Sequence, residues 1–183
     1  SPNTPGLREL QHGDHLTGIL DSCIEVNQQC ADLHGKTRKP ILIKVAPDLS
    51  DEELEAIVDT AIQSQIDGIV ATNTTLSRPN KEHPVYVEQG GCSGLPVKDR
   101  STNMIRHIYA YTKGQLPIVG VGGIMNADDA WEKITSGASL LQAYAGFVFE
   151  GPSLTKSIVH GLHRKLRDSE FESIDDAVGA YHR

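Results

Sequence analysis

The first chemical question in this sequence is a lysine. Lys44 stands in Ile41-Leu42-Ile43-Lys44-Val45-Ala46, a short β-branched run of the kind that forms a strand buried on both faces of a parallel sheet. A charge in such a strand is costly unless an anion or a ligand meets it. Alternation puts Leu42, Lys44 and Ala46 on one side, so the ammonium is expected inside the mouth of a barrel; the plainer reading is a lysine that snorkels to solvent. Thr72-Asn73-Thr74-Thr75 follows a second apolar run and offers amide donors, amide-oxygen lone pairs and hydroxyls. That set suits a planar ligand with alternating donors and acceptors, although an Asx or Thr turn accounts for the same residues. Gly122-Gly123 and Ala145-Gly146 end two further runs with small residues. Backbone N–H groups there can approach a phosphate, or the chain simply turns. Gly90-Gly91-Cys92-Ser93-Gly94 can wrap the edge of a cofactor or serve as a flexible loop.

The elements that must position these residues alternate between two periods. Leu16, Ile19, Leu20, Cys23, Ile24 and Asn27 predict a helix to about Leu33, stopped by Gly35. The Lys44 strand ends at Pro47-Asp48, and Ser50 and Glu53 stand at capping-box spacing before Leu54, Ile57, Val58, Ala61 and Ile62. Asp67-Gly68 turns the chain into Ile69-Val70-Ala71-Thr72. From Asn73 to Lys98 periodicity fails, which marks a long loop, functional or disordered. Met104, Ile105, Ile108, Tyr109 and Thr112 then form a helix face, followed by the strand Pro117–Val121 and a helix capped by Asn126 and closed by Gly137. Ser139–Tyr144 reads as the last strand, and Leu154, Ile158, Val159, Leu162 and Leu166 as the last helix. A helix followed by four strand-loop-helix units requires a parallel sheet, either in a barrel or doubly wound. The unusual residues all lie at carboxyl ends of strands, as in a (β/α)₈ TIM barrel, which needs about 250 residues. The chain therefore reads as roughly the C-terminal half of such a barrel.

Composition narrows the function. The 183 residues carry 17 basic and 24 acidic side chains, net −7, with pI near 5.6. That balance excludes a non-specific nucleic-acid binder. No apolar run approaches the length of a bilayer span. The opening residues lack a signal peptide's basic start and apolar core, and the missing initiator Met suggests processing or a chain cut from something longer. Cys23, Cys30 and Cys92 form no CxxC pair and read as reduced thiols. His160 with His163, and His12 with His15, lack a third ligand at motif spacing, so no metal site is expected. No GxSxG, HExxH or Walker motif occurs. Asp48, Asp51, Glu52, Glu53 and Glu55 read as a solvated face complementing a helix dipole.

Ser1-Pro2-Asn3-Thr4-Pro5-Gly6-Leu7-Arg8, Ile43-Lys44-Val45-Ala46-Pro47-Asp48, Ala71-Thr72-Asn73-Thr74-Thr75, Gly120-Val121-Gly122-Gly123 and Gly137-Ala138-Ser139 occur in that order. In this the chain closely resembles the dihydroorotate dehydrogenases over nearly its whole length, residues 1–183 corresponding to the C-terminal half of a single FMN-binding barrel domain. Ser1 resembles the serine base of the membrane-associated, quinone-reducing class 2; class 1 has cysteine there. The resemblance implies oxidation of dihydroorotate to orotate with ubiquinone as acceptor, in de novo pyrimidine (UMP) biosynthesis. It further implies FMN as cofactor and a membrane surface met through an N-terminal half not in this chain. Ser1 would take the C5 proton, Thr4 would relay it, and Lys44 would stabilise charge on the reduced flavin. Asn3, Asn73 and Thr74 match orotate positions. Thr72, Gly94, Gly122, Gly123, Tyr144 and Ala145 match FMN positions, Ala145 departing from the usual Thr or Ser and Cys92 from the usual leucine. Residues 174–183 look more like the animal mitochondrial enzymes, which implies the mitochondrial inner membrane. The alternatives are another FMN barrel, of the dihydropyrimidine dehydrogenase or class 1 kind, and a non-catalytic phosphate-binding half-barrel.

Overall fold

The computed structural model describes residues 6, 10–11, 13–79, 82 and 84–183. Helix α1 (Gly13–Leu33) leads into β1 (Leu42–Val45), α2 (Asp51–Gln63) and β2 (Gly68–Ala71). An irregular stretch with two 3₁₀ turns follows, then α3 (Lys98–Thr112), β3 (Ile118–Val121), α4 (Ala127–Ser136) and β4 (Leu140–Gln142). The chain ends in α5 (Ala145–Glu150), α6 (Ser153–Arg167), the single turn α7 (Ile174–Ala177) and a last 3₁₀ turn.

All strand pairs are parallel, in the order β1-β2-β3-β4. A doubly wound sheet reverses its strand order at a switch point; this one does not, and its helices pack side by side in chain order, α1 on α2, α2 on α3 and α3 on α4. That is the winding of a barrel wall, so the sheet is a partial (β/α)₈ barrel. The core lies between wall and helices: Leu54, Ile57, Val58 and Ala61 of α2 and Ile105 and Ile108 of α3 pack with Ile69 and Ile118, all at most 3% exposed. Fully burying each such side chain is worth roughly 1.5–3 kcal/mol, which makes this seam the main source of cohesion.

Local signals act where the sequence puts them. Ser50 accepts the Glu53 N–H while the Glu53 carboxylate accepts the Ser50 N–H, a complete capping box. The Asn126 side chain accepts the N–H groups of Asp128 and Asp129, and Gly137 ends α4 at φ 127. Three expectations need correction. Strand β1 is not buried on both faces: Leu42 and Lys44 are exposed, because β1 is an edge of this sheet and its inner face looks into the open barrel interior. Strand β4, the other edge, stops at Gln142 and leaves Leu140 65% exposed. Ala145-Gly146 is not a bare turn but the start of α5, a helix too short for periodicity to reveal.

Candidate active site

The register brings the carboxyl ends of the strands to one level: Val45 lies beside Ala71, Ala71 beside Gly120 and Val121 beside Gln142. The chain leaving β2 then crosses both neighbours. Thr72 N–H donates to the Val121 carbonyl at 2.9 Å, and Asn73 N–H donates to the Val45 carbonyl at 2.8 Å. Thr72 is 2% exposed, so its position is set by the wall rather than by solvent. Thr72 Oγ1 donates to the Asn73 carbonyl and Thr74 N–H to Asn73 Oδ1, while Ser77 N–H donates to Thr75 Oγ1 two residues back at 2.9 Å, the geometry of a Thr turn.

Above these ends lies a cleft of about 230 Å³. Lys44, Thr72, Asn73, Thr74, Gly94, Gly122, Gly123, Tyr144 and Ala145 all line it, so every cofactor or substrate residue expected from sequence and described by the structure meets in one place. Ser1, Asn3 and Thr4 lie outside the described residues. Lys44 requires a correction. It lines the cleft, but it is exposed, so the cost of a buried charge does not apply to it. Its exposure is that of an edge strand in a four-stranded sheet, whose inner face nothing in this half of a barrel covers. Tyr144 is likewise 70% exposed, at the N-terminal boundary of α5.

The glycines have a packing reason of their own. At Gly123 (φ 71) a Cβ would stand 2.4 Å from Lys98 Cβ and 2.8 Å from Lys98 Cα, and at Gly122 (φ 126) 3.0 Å from Ser101 Cβ. The first turns of α3 press on the β3 turn, and only glycine admits both the contact and the backbone. At Gly94 (φ 76) a Cβ would come 3.1 Å from Ala145 Cβ, so glycine is what lets this loop lie close to the start of α5 at one end of the cleft. Ammonium, amide and hydroxyl groups around the cleft, with small residues at Gly94, Gly122, Gly123 and Ala145, form a donor set that fits a polar ring carrying a phosphate tail, as FMN does.

Several residues that hold the site are not evident from motif reading. Asp48 is not merely part of a solvated acidic face. One carboxylate oxygen accepts Thr75 Oγ1 and the other the Leu76 N–H at 2.9 Å, pinning the loop after β2. Arg78 donates to the Gly90 carbonyl at 2.6 Å and to Cys92 Sγ at 3.0 Å, while Thr75 and Cys92 exchange backbone hydrogen bonds, folding the loop against itself. Arg100 fixes α3 to the β1–α2 connection through the carbonyls of Pro47 and Leu49. Lys133 is 0% exposed, and burial foremost pushes its ammonium down to about 8. A signal for Lys133 exists in the sequence: Ala130, Lys133, Ile134 and Gly137 share an i, i+3, i+4, i+7 stripe, which turns that lysine inward with the apolar face. Among the described residues no cluster of His, Cys, Asp or Glu could hold a metal, and the three cysteines are free thiols.

Known proteins agree with this architecture. A protein from Trichodesmium erythraeum named "Dihydroorotate dehydrogenase (quinone)" is 47% identical over 98% of this chain and 47% of its own length. One of the same name from Anaeromyxobacter sp. (strain K) is 48% identical over all of this chain and 49% of its own. The chain thus spans about half the length of the curated relatives it matches. The crystal structure of DHODH from Eimeria tenella in complex with ferulenol superposes with a TM-score of 0.94 at 34% identity, covering all of this chain and 52% of that one. These findings overturn the mitochondrial inner membrane as a location: relatives at 47–48% identity come from bacteria, which have no mitochondria. With the family model "Dihydroorotate dehydrogenase" matching residues 1–166, the chain belongs to the dihydroorotate dehydrogenase family.

Proposed function

We propose that residues 1–183 form the C-terminal half of a single FMN-binding barrel domain, in a protein that oxidises dihydroorotate to orotate and passes the electrons to a quinone during UMP synthesis. The observation that carries this reading is the convergence of Lys44, Thr72, Asn73, Thr74, Gly94, Gly122, Gly123, Tyr144 and Ala145 on one cleft from the ends of four neighbouring strands. When bound, FMN supplies a ring that accepts a hydride. Lys44 presents an ammonium where negative charge on that ring would be stabilised. Asn73 and Thr74 orient orotate, and their turn is preset by the Asp48 clamp one residue on, at Thr75. Gly122, Gly123, Tyr144 and Ala145 receive the phosphate end, Ala145 through its backbone because it has no hydroxyl. Ser1 is assigned removal of the C5 proton, with Asn3 on the orotate ring. Serine is a weak base without an outlet for its proton, and Thr4 is assigned that relay.

Quinone as acceptor is supported by the names of the relatives and by serine at position 1. An apolar quinone is met at a membrane surface, through parts of the protein beyond these four strands; among the described residues no helix is long and apolar enough to cross a membrane. The full-length protein is expected to carry yellow flavin that dihydroorotate bleaches without oxygen and ubiquinone reoxidises faster than fumarate or NAD. A folded, colourless preparation that gains no dihydroorotate-dependent bleaching on adding FMN overturns the reading. Faster reoxidation by fumarate or NAD moves it to a class 1 enzyme or another flavin barrel.

A further inference from the structure

Behind the glycine turn, the cations are unequally partnered. Lys98 pairs with Asp129 and, at 3.4 Å, with Glu132, and Glu132 also meets Arg106 at 3.3 Å. Lys133 takes none of these carboxylates directly. Its ammonium donates to Thr102 Oγ1 at 2.9 Å, Ser101 Oγ at 3.1 Å and the Lys98 carbonyl at 3.4 Å, all neutral oxygens. Glu132, Asp129 and Asp99 act on it only through space, and Lys98 opposes them. A wholly buried ammonium in a neutral shell is an unfavourable arrangement if its sole task is to tie α3 to α4; an apolar side chain of similar volume would do that at lower cost.

What distinguishes the place is its neighbour. Ser101 Oγ, which receives the Lys133 hydrogen bond, donates in turn to the Val121 carbonyl at 2.7 Å. Val121 is the last residue of β3, and a Cβ on the following Gly122 would stand 3.2 Å from that same Ser101 oxygen. Resting on the FMN reading above, we propose that Lys133 is a positioning residue for the phosphate end of the cofactor. It holds the Val121-Gly122 turn through Ser101 and supplies a fixed buried cation whose field favours a dianion in the cleft. In a low-dielectric setting that field is only weakly screened, so a cation need not touch the anion to act on it.

The test compares FMN with riboflavin, which has the same ring and no phosphate, on full-length protein stripped of flavin. Lys133→Met is expected to raise the FMN Kd about tenfold and to leave that of riboflavin within about twofold. Ser101→Ala, which keeps the buried charge and breaks the relay, is expected to raise the FMN Kd about threefold. Wild-type FMN affinity is expected to fall between pH 7.5 and 9.5 as Lys133 loses its proton, with riboflavin flat and the step absent in Lys133→Met. The charged groups that act on Lys133 are Glu132, Lys98, Asp129 and Asp99, and Lys98 is held above the ordinary lysine value by its hydrogen bond to Asp129. Equal weakening of both flavins, or of neither, overturns the proposal. If Lys133→Met does not fold, a wild-type FMN-to-riboflavin affinity ratio that stays constant across that pH range overturns it equally. Wild-type protein that binds neither flavin sinks the FMN reading itself and this inference with it.

Discussion

At the mouth of the four-stranded sheet Lys44 is exposed, whereas in the seam between α3 and α4 Lys133 has no exposed surface at all. Lys44 lines the cleft itself, and Lys133 lies behind the β3 turn that borders it. The mouth is built from edge strands and an open interior, so water solvates whatever charge stands there, and the cost of enclosing Lys44 arises only when the rest of a barrel and its ligand close over it. The seam is already closed. Its charge is held by hydroxyls of Ser101 and Thr102 and by a backbone carbonyl, and its desolvation is part of the folded state now. The lysine that stands in a family motif therefore looks ordinary by burial, and the one made conspicuous by burial lies outside any motif.

That contrast can be broken or sharpened by substitutions ranked by their effect on stability. Gly123→Ala is expected to be the largest, about 3 kcal/mol or more, because its Cβ would meet the Lys98 backbone at 2.8 Å with φ at 71, and neither side can withdraw. Thermal unfolding of the full-length protein, with flavin content measured alongside, checks this; a loss below about 1 kcal/mol means the seam yields more than the packing implies.

Lys133→Met comes next, with an effect that depends on pH. The folded-state value of about 8 lies below the ordinary lysine value of 10.5, so between those limits the unfolded chain binds more protons and wild-type stability rises with pH relative to the variant. The difference between the two proteins is expected to change by roughly 1–3 kcal/mol from pH 7.5 to pH 10.5, and to be constant below pH 7. Urea unfolding at several pH values measures it, and parallel curves would show that Lys133 does not titrate in the seam.

Asp48→Ala removes the clamp on Thr75 and Leu76 and is expected to cost about 1–2 kcal/mol, together with a raised KM for dihydroorotate at little change in thermal behaviour of the helices. Hydrogen exchange at Leu76 and Ser77 reports the local release. The smallest stability effect, measured without flavin, is expected for Lys44→Met, about 0.5 kcal/mol or less, since the side chain faces the cleft and packs into no helix seam. Its flavin reduction by dihydroorotate should nonetheless slow markedly in stopped-flow traces. Unaltered reduction kinetics would remove Lys44 from the mechanism and leave the seam as the cation that counts.

Much of this architecture is legible in the order of residues alone. The capping box at Ser50 and Glu53, the Asn126 cap and the Gly137 stop are local features, fixed by residues within one turn of one another, and they stand where the sequence puts them. The meeting of Lys44, Asn73, Gly122 and Ala145 is legible only because these residues end successive strands, and parallel strands in order bring such ends together. The role of Asp48 is hidden from sequence because its partners lie 27 and 28 positions away, beyond any local pattern. The exposure of β1 is hidden for a related reason: alternation states which residues share a face, but whether that face is covered depends on which strand lies next to it.

By itself, then, the sequence determined the period of each element, the ends of most of them and the family motifs, all of which depend on near neighbours along the chain. Only the tertiary structure decided which lysine is solvated and which is desolvated, why Gly122 and Gly123 must be glycines, and what holds the loop after β2. Those outcomes are set by atoms brought together across the wall, where α3 presses its first turns onto the end of β3 and excludes the water that reaches the open mouth.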